Sequence, residues 1–329
     1  MVESIISVSG LKKHYKVHKK EPGLKGSMAS LFSRKYEKVK AVDEVDFKIN
    51  EGELIGFIGP NGAGKTTTLK CLSGLLYPDG GAISVLGFTP WERKKEFLKQ
   101  IAFVMGQKNQ LWWDLPAIET FNLNKEIYEI PSDLYKKNLD ELVSLLEVKD
   151  ILKVQVRKLS LGQRMKCELI AALLHQPKVL FLDEPTIGLD VVMQKKIRDF
   201  ISEYNKRRQA TIILTSHYMD DVKELAKRVV IINKGRIIFD GFLDEIIKKF
   251  ANHKIVTIVF GKPISKKDLK GLGKVKDFDP LKASLLAKRS AASLMAAEVL
   301  QRFPVEDLNI EEPQIEDIIR ELFTGKDYA

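Results

Sequence analysis

The stretch Gly59-Pro60-Asn61-Gly62-Ala63-Gly64-Lys65-Thr66-Thr67 constrains this chain more than any other. It is entered from the apolar run Leu54-Ile55-Gly56-Phe57-Ile58, which reads as a buried strand. The pattern G-x-x-x-x-G-K-[ST] is that of a phosphate-binding loop between a strand and a helix. The residue types follow from the chemistry. Glycines let the backbone curl and point N–H groups inward at phosphate oxygens. Lys65 supplies a cation for β- and γ-phosphates, and the Thr66 hydroxyl can ligate Mg²⁺. The helix that begins here adds the positive end of its dipole.

A second element points to the same chemistry. Lys178-Val179-Leu180-Phe181-Leu182-Asp183-Glu184 is an apolar run ending in two carboxylates. Such a run suggests a strand covered on both faces, as in a parallel sheet. Asp183 then lies at the carboxyl end of its strand, where open α/β sheets bind ligands. There it can hold Mg²⁺, and Glu184 can take a proton from an attacking water. The competing reading is a solvated Asp-Glu pair capping the next helix. The phosphate loop upstream favours the first.

Between these elements stands Leu159-Ser160-Leu161-Gly162-Gln163, and here the chain resembles the nucleotide-binding subunits of ATP-binding cassette (ABC) transporters. That family's signature is usually Leu-Ser-Gly-Gly-Gln. Further elements match in order: Gln107 the Q-loop glutamine, Ile187-Gly188-Leu189-Asp190 the D-loop, and His217 the switch histidine. Tyr15 stands where the family places an aromatic that stacks on adenine. The resemblance runs over about residues 4 to 245, and within the family it is greatest to ATP-binding proteins of the ABC-2, export-like type.

The resemblance implies a P-loop NTPase with a mixed sheet core and a helical subdomain, and ATP and Mg²⁺ as substrate and cofactor. It implies catalytic roles for Glu184, His217, Lys65 and Gln107. Nucleotide contacts fall to Tyr15, to Gly59, Pro60, Asn61, Gly62, Ala63, Gly64, Lys65, Thr66 and Thr67, and to Ser160, Gly162 and Gln163. Thr66, Gln107 and Asp183 are the implied metal ligands. It implies two cassettes, identical or not, closing head to tail on ATP, and separate integral membrane permease subunits as partners. Two departures stand out. Leu161 replaces the first glycine of the signature pair and must point away from the nucleotide. Ile187 removes the hydroxyl of the usual D-loop serine.

At 329 residues the chain has room for two domains. No run approaches 18 apolar residues, and the N-terminus shows no positive patch followed by an apolar block. The expectation is a peripheral protein on the cytoplasmic face of the cell membrane, reaching it through the permease. Cys71 and Cys167 match no metal spacing and read as buried reduced thiols. The net charge of +10 is concentrated between Leu11 and Lys40, with ten Lys or Arg against two Glu. This basic insert, about 18–38, reads as a solvated loop, a face for anionic lipid headgroups, or a contact with the membrane partner. No nucleic-acid fold pattern accompanies the charge, so no nucleic acid is expected. A soluble ABC ATPase acting on a ribosome or DNA is the alternative. Ribosome-associated members carry two cassettes per chain, and DNA-repair members a long coiled coil; neither is visible.

The expected domains are an ABC nucleotide-binding domain over 1–248, with its helical subdomain at about 107–176, and a C-terminal accessory domain over 249–329. Pro116 opens a helix running through Phe121 and Ile127, and Asp140–Val148 reads as a second. Met165, Leu169, Ala172 and Leu173 form the core stripe of the signature helix. In the C-terminal region the spacing predicts strands at 254–260, 274–278, 283–287 and 305–310, with helices after Ser265, over 291–303 and over 313–323. The order β-α-β-β-α-β suggests a small α+β, ferredoxin-like domain. It shows no catalytic constellation, which favours a regulatory or dimer-stabilising role over a ligand site. The adjacent Trp112 and Trp113, with Leu111, Leu115 and Phe121, mark a surface for the membrane partner. On an extended segment one tryptophan should pack inward and the other outward.

Overall fold

A computed structural model describes residues 4–18, 36–216, 218–250 and 253–324. The centre of the basic insert and His217 lie outside the described residues. The chain divides into two compact units, Met1–Asp240 and Gly241–Ala329.

In the first unit, β1 (Ser4–His18), β2 (Tyr36–Asn50) and β4 (Gly80–Val85) form an antiparallel sheet in the order β2-β1-β4. A six-stranded sheet has the order β5-β6-β7-β3-β8-β9. Its members are β3 (Leu54–Ile58), β5 (Ile101–Met105), β6 (Val179–Asp183), β7 (Thr211–Thr215), β8 (Arg228–Asn233) and β9 (Arg236–Phe242). The first four pairings are parallel. Lys234 and Gly235, both at positive φ (48° and 79°), make the two-residue turn that folds β9 back along β8.

The sheet explains why its strands read as continuous apolar runs. Leu180, Leu182, Ile212 and Leu214 pack into one core with the helical arm. Their neighbours Val179, Phe181 and Ile213 face a second core, with Ile55, Phe57, Val230 and the buried side chains of the antiparallel sheet. With both faces covered, alternation has no polar side to show. Met105, Asp183 and Thr215 sit on one rung across β5, β6 and β7, so the turns after these strands leave the sheet at the same level.

Two helices that bear on the site are α1 (Lys65–Leu72) and the short α2 (Lys95–Leu98). The arm contains α3 (Ala117–Ile127), α4 (Ser132–Leu146) and α5 (Leu161–Leu173). Pro116 is the N-cap of α3. The second arm helix begins eight residues before the expected Asp140, and its buried face includes a polar residue, Asn138. Asn138 Nδ2 donates to the Leu174 carbonyl at 2.8 Å, and its Oδ1 accepts from Gln176 at 2.6 Å. In α5, Met165, Leu169 and Leu173 are buried. Helices α6 (Val191–Arg208) and α7 (Met219–Leu225) complete the unit. Cys71 and Cys167 are free and buried.

The second unit begins with α8 (Leu243–Phe250). Strands β10 (His253–Phe260), β11 (Lys274–Asp279), β12 (Lys282–Lys288) and β13 (Val305–Glu311) form an antiparallel sheet in the order β11-β12-β10-β13. Helix α9 (Ala292–Arg302) covers a core of Val256, Ile258, Phe260, Leu285 and Val299, and α10 (Ile315–Thr324) follows. The helix expected after Ser265 is a single 3₁₀ turn, Lys266–Leu269. Its capping box forms, but Gly271 and Gly273 at φ 94° and 148° stop propagation.

Candidate phosphate-binding and catalytic site

The loop Gly59–Gly64 joins β3 to α1. A Cβ at Gly59 would stand 2.2 Å from the Ile232 carbonyl oxygen, and one at Gly64, at φ 113°, 2.3 Å from that of Ala41. Both positions exclude side chains, which lets the loop lie close against its neighbours. At Gly62 (φ 76°) nothing lies within 4 Å of such an atom, so this glycine serves backbone conformation alone.

Lys65 opens α1 and is 5% exposed. Its Nζ donates to the carbonyls of Gly59 (2.7 Å) and Pro60 (3.2 Å). Burial lowers its pKa from the usual lysine value, while the charges of Glu184 and Asp183 pull it back up. Next to it, Thr66 Oγ1 donates to Asp183 Oδ1 at 3.1 Å, and Thr215 Oγ1 donates to the same oxygen at 2.7 Å. A hydroxyl and a carboxylate oxygen side by side form a hard-oxygen donor pair that suits Mg²⁺. Among the described residues no cluster of three His, Cys, Asp or Glu side chains could hold a metal unaided.

Glu184 adopts a left-handed conformation, φ 56°, rare for a residue with a side chain. Its N–H donates to the Thr215 carbonyl and hydroxyl oxygens, both at 3.1 Å. Strain of this kind costs roughly 1–3 kcal/mol and clusters at functional sites. Across the turn, Gln107 Nε2 donates to Glu184 Oε2 at 3.0 Å. Gly106 permits this approach: a Cβ there would stand 1.9 Å from the Glu184 carbonyl oxygen. The structure thus brings Lys65, Thr66, Gln107, Asp183 and Glu184 together.

The signature residues form a separate feature. Ser160 caps α5 with a capping box: Gln163 N–H donates to Ser160 Oγ (3.2 Å), and Ser160 N–H to Gln163 Oε1 (2.9 Å). Among the described residues no hydrogen bond joins this turn to the phosphate loop. Gly162 is buried against α6, where a Cβ would meet Met193 Cγ at 2.7 Å. The two departures from the family pattern lie together. Leu161 and Ile187 line one cavity of about 370 Å³ with Gly106, Gln107, Arg164 and Gly188. Leu161 is aimed at the D-loop of its own chain, its Cδ2 being 3.1 Å from where a Gly188 Cβ would stand. Tyr15, on β1, is 37% exposed with Lys13 Nζ 5.8 Å from its ring centroid.

The tryptophan pair departs from expectation. Trp112 and Trp113 are 50% and 48% exposed, so neither packs inward. Leu111 and Phe121 are buried instead. The segment turns, with Leu115 N–H bonded to the Trp112 carbonyl at 3.2 Å, so successive side chains do not alternate as on a strand. The Arg164 guanidinium lies over the Trp113 ring, 5.1 Å from its centroid.

Sequence reasoning overlooked Thr215 and Asp221. Asp221, 0% exposed, accepts hydrogen bonds from Ser216 Oγ (2.6 Å), Arg198 Nη1 (3.0 Å) and the Thr186 hydroxyl. It ties Thr186, the residue before the D-loop, to Ser216 in the turn before position 217. The only sequence signal was an acidic residue four positions past the histidine.

The ABC transporter family model matches residues 42–187, and that of the EvrA-like ABC transporter C-terminal domain matches 252–311. The ABC transporter ATP-binding protein NatA of Bacillus subtilis (strain 168) is 32% identical over 231 residues, 70% of this chain and 94% of NatA. The bacitracin transport ATP-binding protein BcrA of Bacillus licheniformis is 34% identical over 218 residues, 66% of this chain and 70% of BcrA. Among solved structures, the ATP-binding cassette MJ0796, a dimer in a post-hydrolysis state bound to ADP and Pi, superposes with a TM-score of 0.60. It is 22% identical and covers 72% of this chain and 98% of that one, a likeness of fold.

Proposed function

This chain belongs to the ATP-binding subunits of ABC transporters, and from that membership we propose that it hydrolyses ATP at a site shared between two cassettes. The observation that carries the reading is the convergence of Thr66, Asp183, Glu184 and Gln107 beside the loop that holds Lys65.

In this reading the loop N–H groups and Lys65 hold the β- and γ-phosphates. Thr66, Asp183 and Gln107 would hold Mg²⁺, and the ion would supply charge neutralisation on the transferring phosphoryl group. Glu184 accepts the proton of the attacking water, and the Gln107 amide fixes the carboxylate that does so. His217 positions the γ-phosphate, and Tyr15 stacks on the base. Ser160, Gly162 and Gln163 face the nucleotide of a second cassette. Their separation from the phosphate loop within one chain supports that assignment.

The cassette works with integral membrane permease subunits at the cytoplasmic face of the membrane. Among the described residues no helix is long and apolar enough to cross a membrane. The exposed Trp112, Trp113 and Leu115 offer the docking surface. Export of the ABC-2 type is the favoured direction, supported by the likeness to a bacitracin transport protein.

A complementation experiment tests the shared site. Lys65→Ala and Ser160→Arg proteins, each inactive alone, form on mixing a heterodimer with one disabled and one intact site. ATPase activity should reappear in the mixture. Full activity in Ser160→Arg alone would remove the signature turn from the site.

A further inference from the structure

We propose that the C-terminal unit binds a small organic anion with an apolar body, in a cavity beside the N-terminal end of α9. This inference is independent of the ATP site. The cavity measures about 780 Å³ and is walled by Leu272, Leu286, Ala287, Ala291 and Met295. Ligand pockets fall between about 300 and 1,000 Å³ and are mostly apolar, with a few polar groups that fix orientation. The glycines that cut short the 3₁₀ turn help to form it: Gly271 and Gly273 line the wall, and a Cβ at Gly273 would stand 2.5 Å from Met295 Cε.

The lining carries cationic side chains and no carboxylate. Lys274, Lys288 and Arg289 stand on the lining. Arg289 Nη2 is 2.8 Å from Glu312 Oε1, so its charge is answered. Lys288 is exposed and has no ion pair among the described residues. His253 is 8% exposed and lines the same cavity. Glu321 Oε1 lies 3.9 Å from its Nε2, an ion-pair contact. Helix α9 has no side-chain cap and no acidic residue in its first turn, and its N-cap Ala291 lines the cavity. Apolar walls, three cationic side chains and no carboxylate on the lining together select an amphipathic anion over a cation or a sugar.

Calorimetric titration of the full chain with decanoate tests this, with 1-decanol as the neutral control. Decanoate should bind saturably at one site per chain and at least tenfold more tightly than 1-decanol. Lys288→Glu, on the exposed rim, should weaken decanoate at least tenfold, and Ala291→Phe, which fills the cavity, should abolish binding. Circular dichroism checks both folds, and Lys288→Glu alone decides the matter if the larger side chain disturbs folding. Absence of saturable binding up to millimolar decanoate overturns the proposal. Equal affinity for 1-decanol overturns the anionic class, and wild-type affinity in Lys288→Glu overturns the site.

Discussion

Gln107 and Glu184, 77 residues apart, are joined by one hydrogen bond of 3.0 Å from the amide nitrogen to the carboxylate. The bond links the turn after β5 to the turn after β6. It helps to orient a carboxylate that is itself only 9% exposed.

Glu184→Gln should retain ATP binding and lose turnover by about 10²–10⁴-fold, the usual loss on deleting a general base. Nucleotide affinity by equilibrium dialysis and phosphate release report the two quantities separately. Turnover near wild type would remove Glu184 from its role.

Lys65→Ala should act on binding. The mutation deletes a buried cation held against the loop carbonyls, so ATP affinity itself should fall. Unchanged affinity would count against the phosphate loop as the nucleotide's anchor.

Gly162→Ala should lower the thermal midpoint. The new methyl meets Met193 Cγ at 2.7 Å, and overpacking of this kind costs about 1–3 kcal/mol. Adding Met193→Ala to the same chain should recover most of the loss. If the double variant is no more stable than Gly162→Ala, the contact is not the cause.

Trp112→Ala and Trp113→Ala should each leave stability within about 0.5 kcal/mol of wild type, because both rings are half exposed. Basal ATPase activity should persist. Capture of the cognate membrane subunit on affinity resin should drop for at least one of them; full capture by both variants would move the docking surface elsewhere.

His175 gives the acid side of the stability profile a defined shape. It stacks on Tyr128 at 3.8 Å and lies 3.0 Å from the Ile101 carbonyl oxygen. Burial lowers its pKa from 6.5 to about 4. The unfolded chain therefore takes up this proton first. The stabilisation is complete above pH 6.5 and is lost as pH falls towards 4, by at most about 1.4 kcal/mol per unit. Urea midpoints at pH 7 and pH 5 should converge in His175→Gln relative to wild type.

The parts of this molecule that could be read from sequence are those where chemistry is local. A phosphate loop is nine consecutive residues, and Asp183-Glu184 ends a strand that announces itself by its apolar run. What stayed hidden depends on partners distant in sequence. The helix over Ser132–Leu146 was expected only from Asp140, and Leu174 and Gln176, the partners that hold its buried Asn138, come from another element. Thr215 looked like an ordinary strand residue until Asp183 was seen beside it. Trp112 and Trp113 were misjudged because a turn, which apolar patterning does not reveal, replaced the extended backbone.

The rung shared by Met105, Asp183 and Thr215 has a mechanical meaning. Gln107, Glu184 and Ser216 are mounted on one bar of a sheet buried on both faces, so their mutual spacing survives any rigid displacement of the unit. Movement that opens or closes a nucleotide site must therefore pivot outside that bar. The sheet acts as the fixed jaw of a vice, and only what is brought against it has to travel.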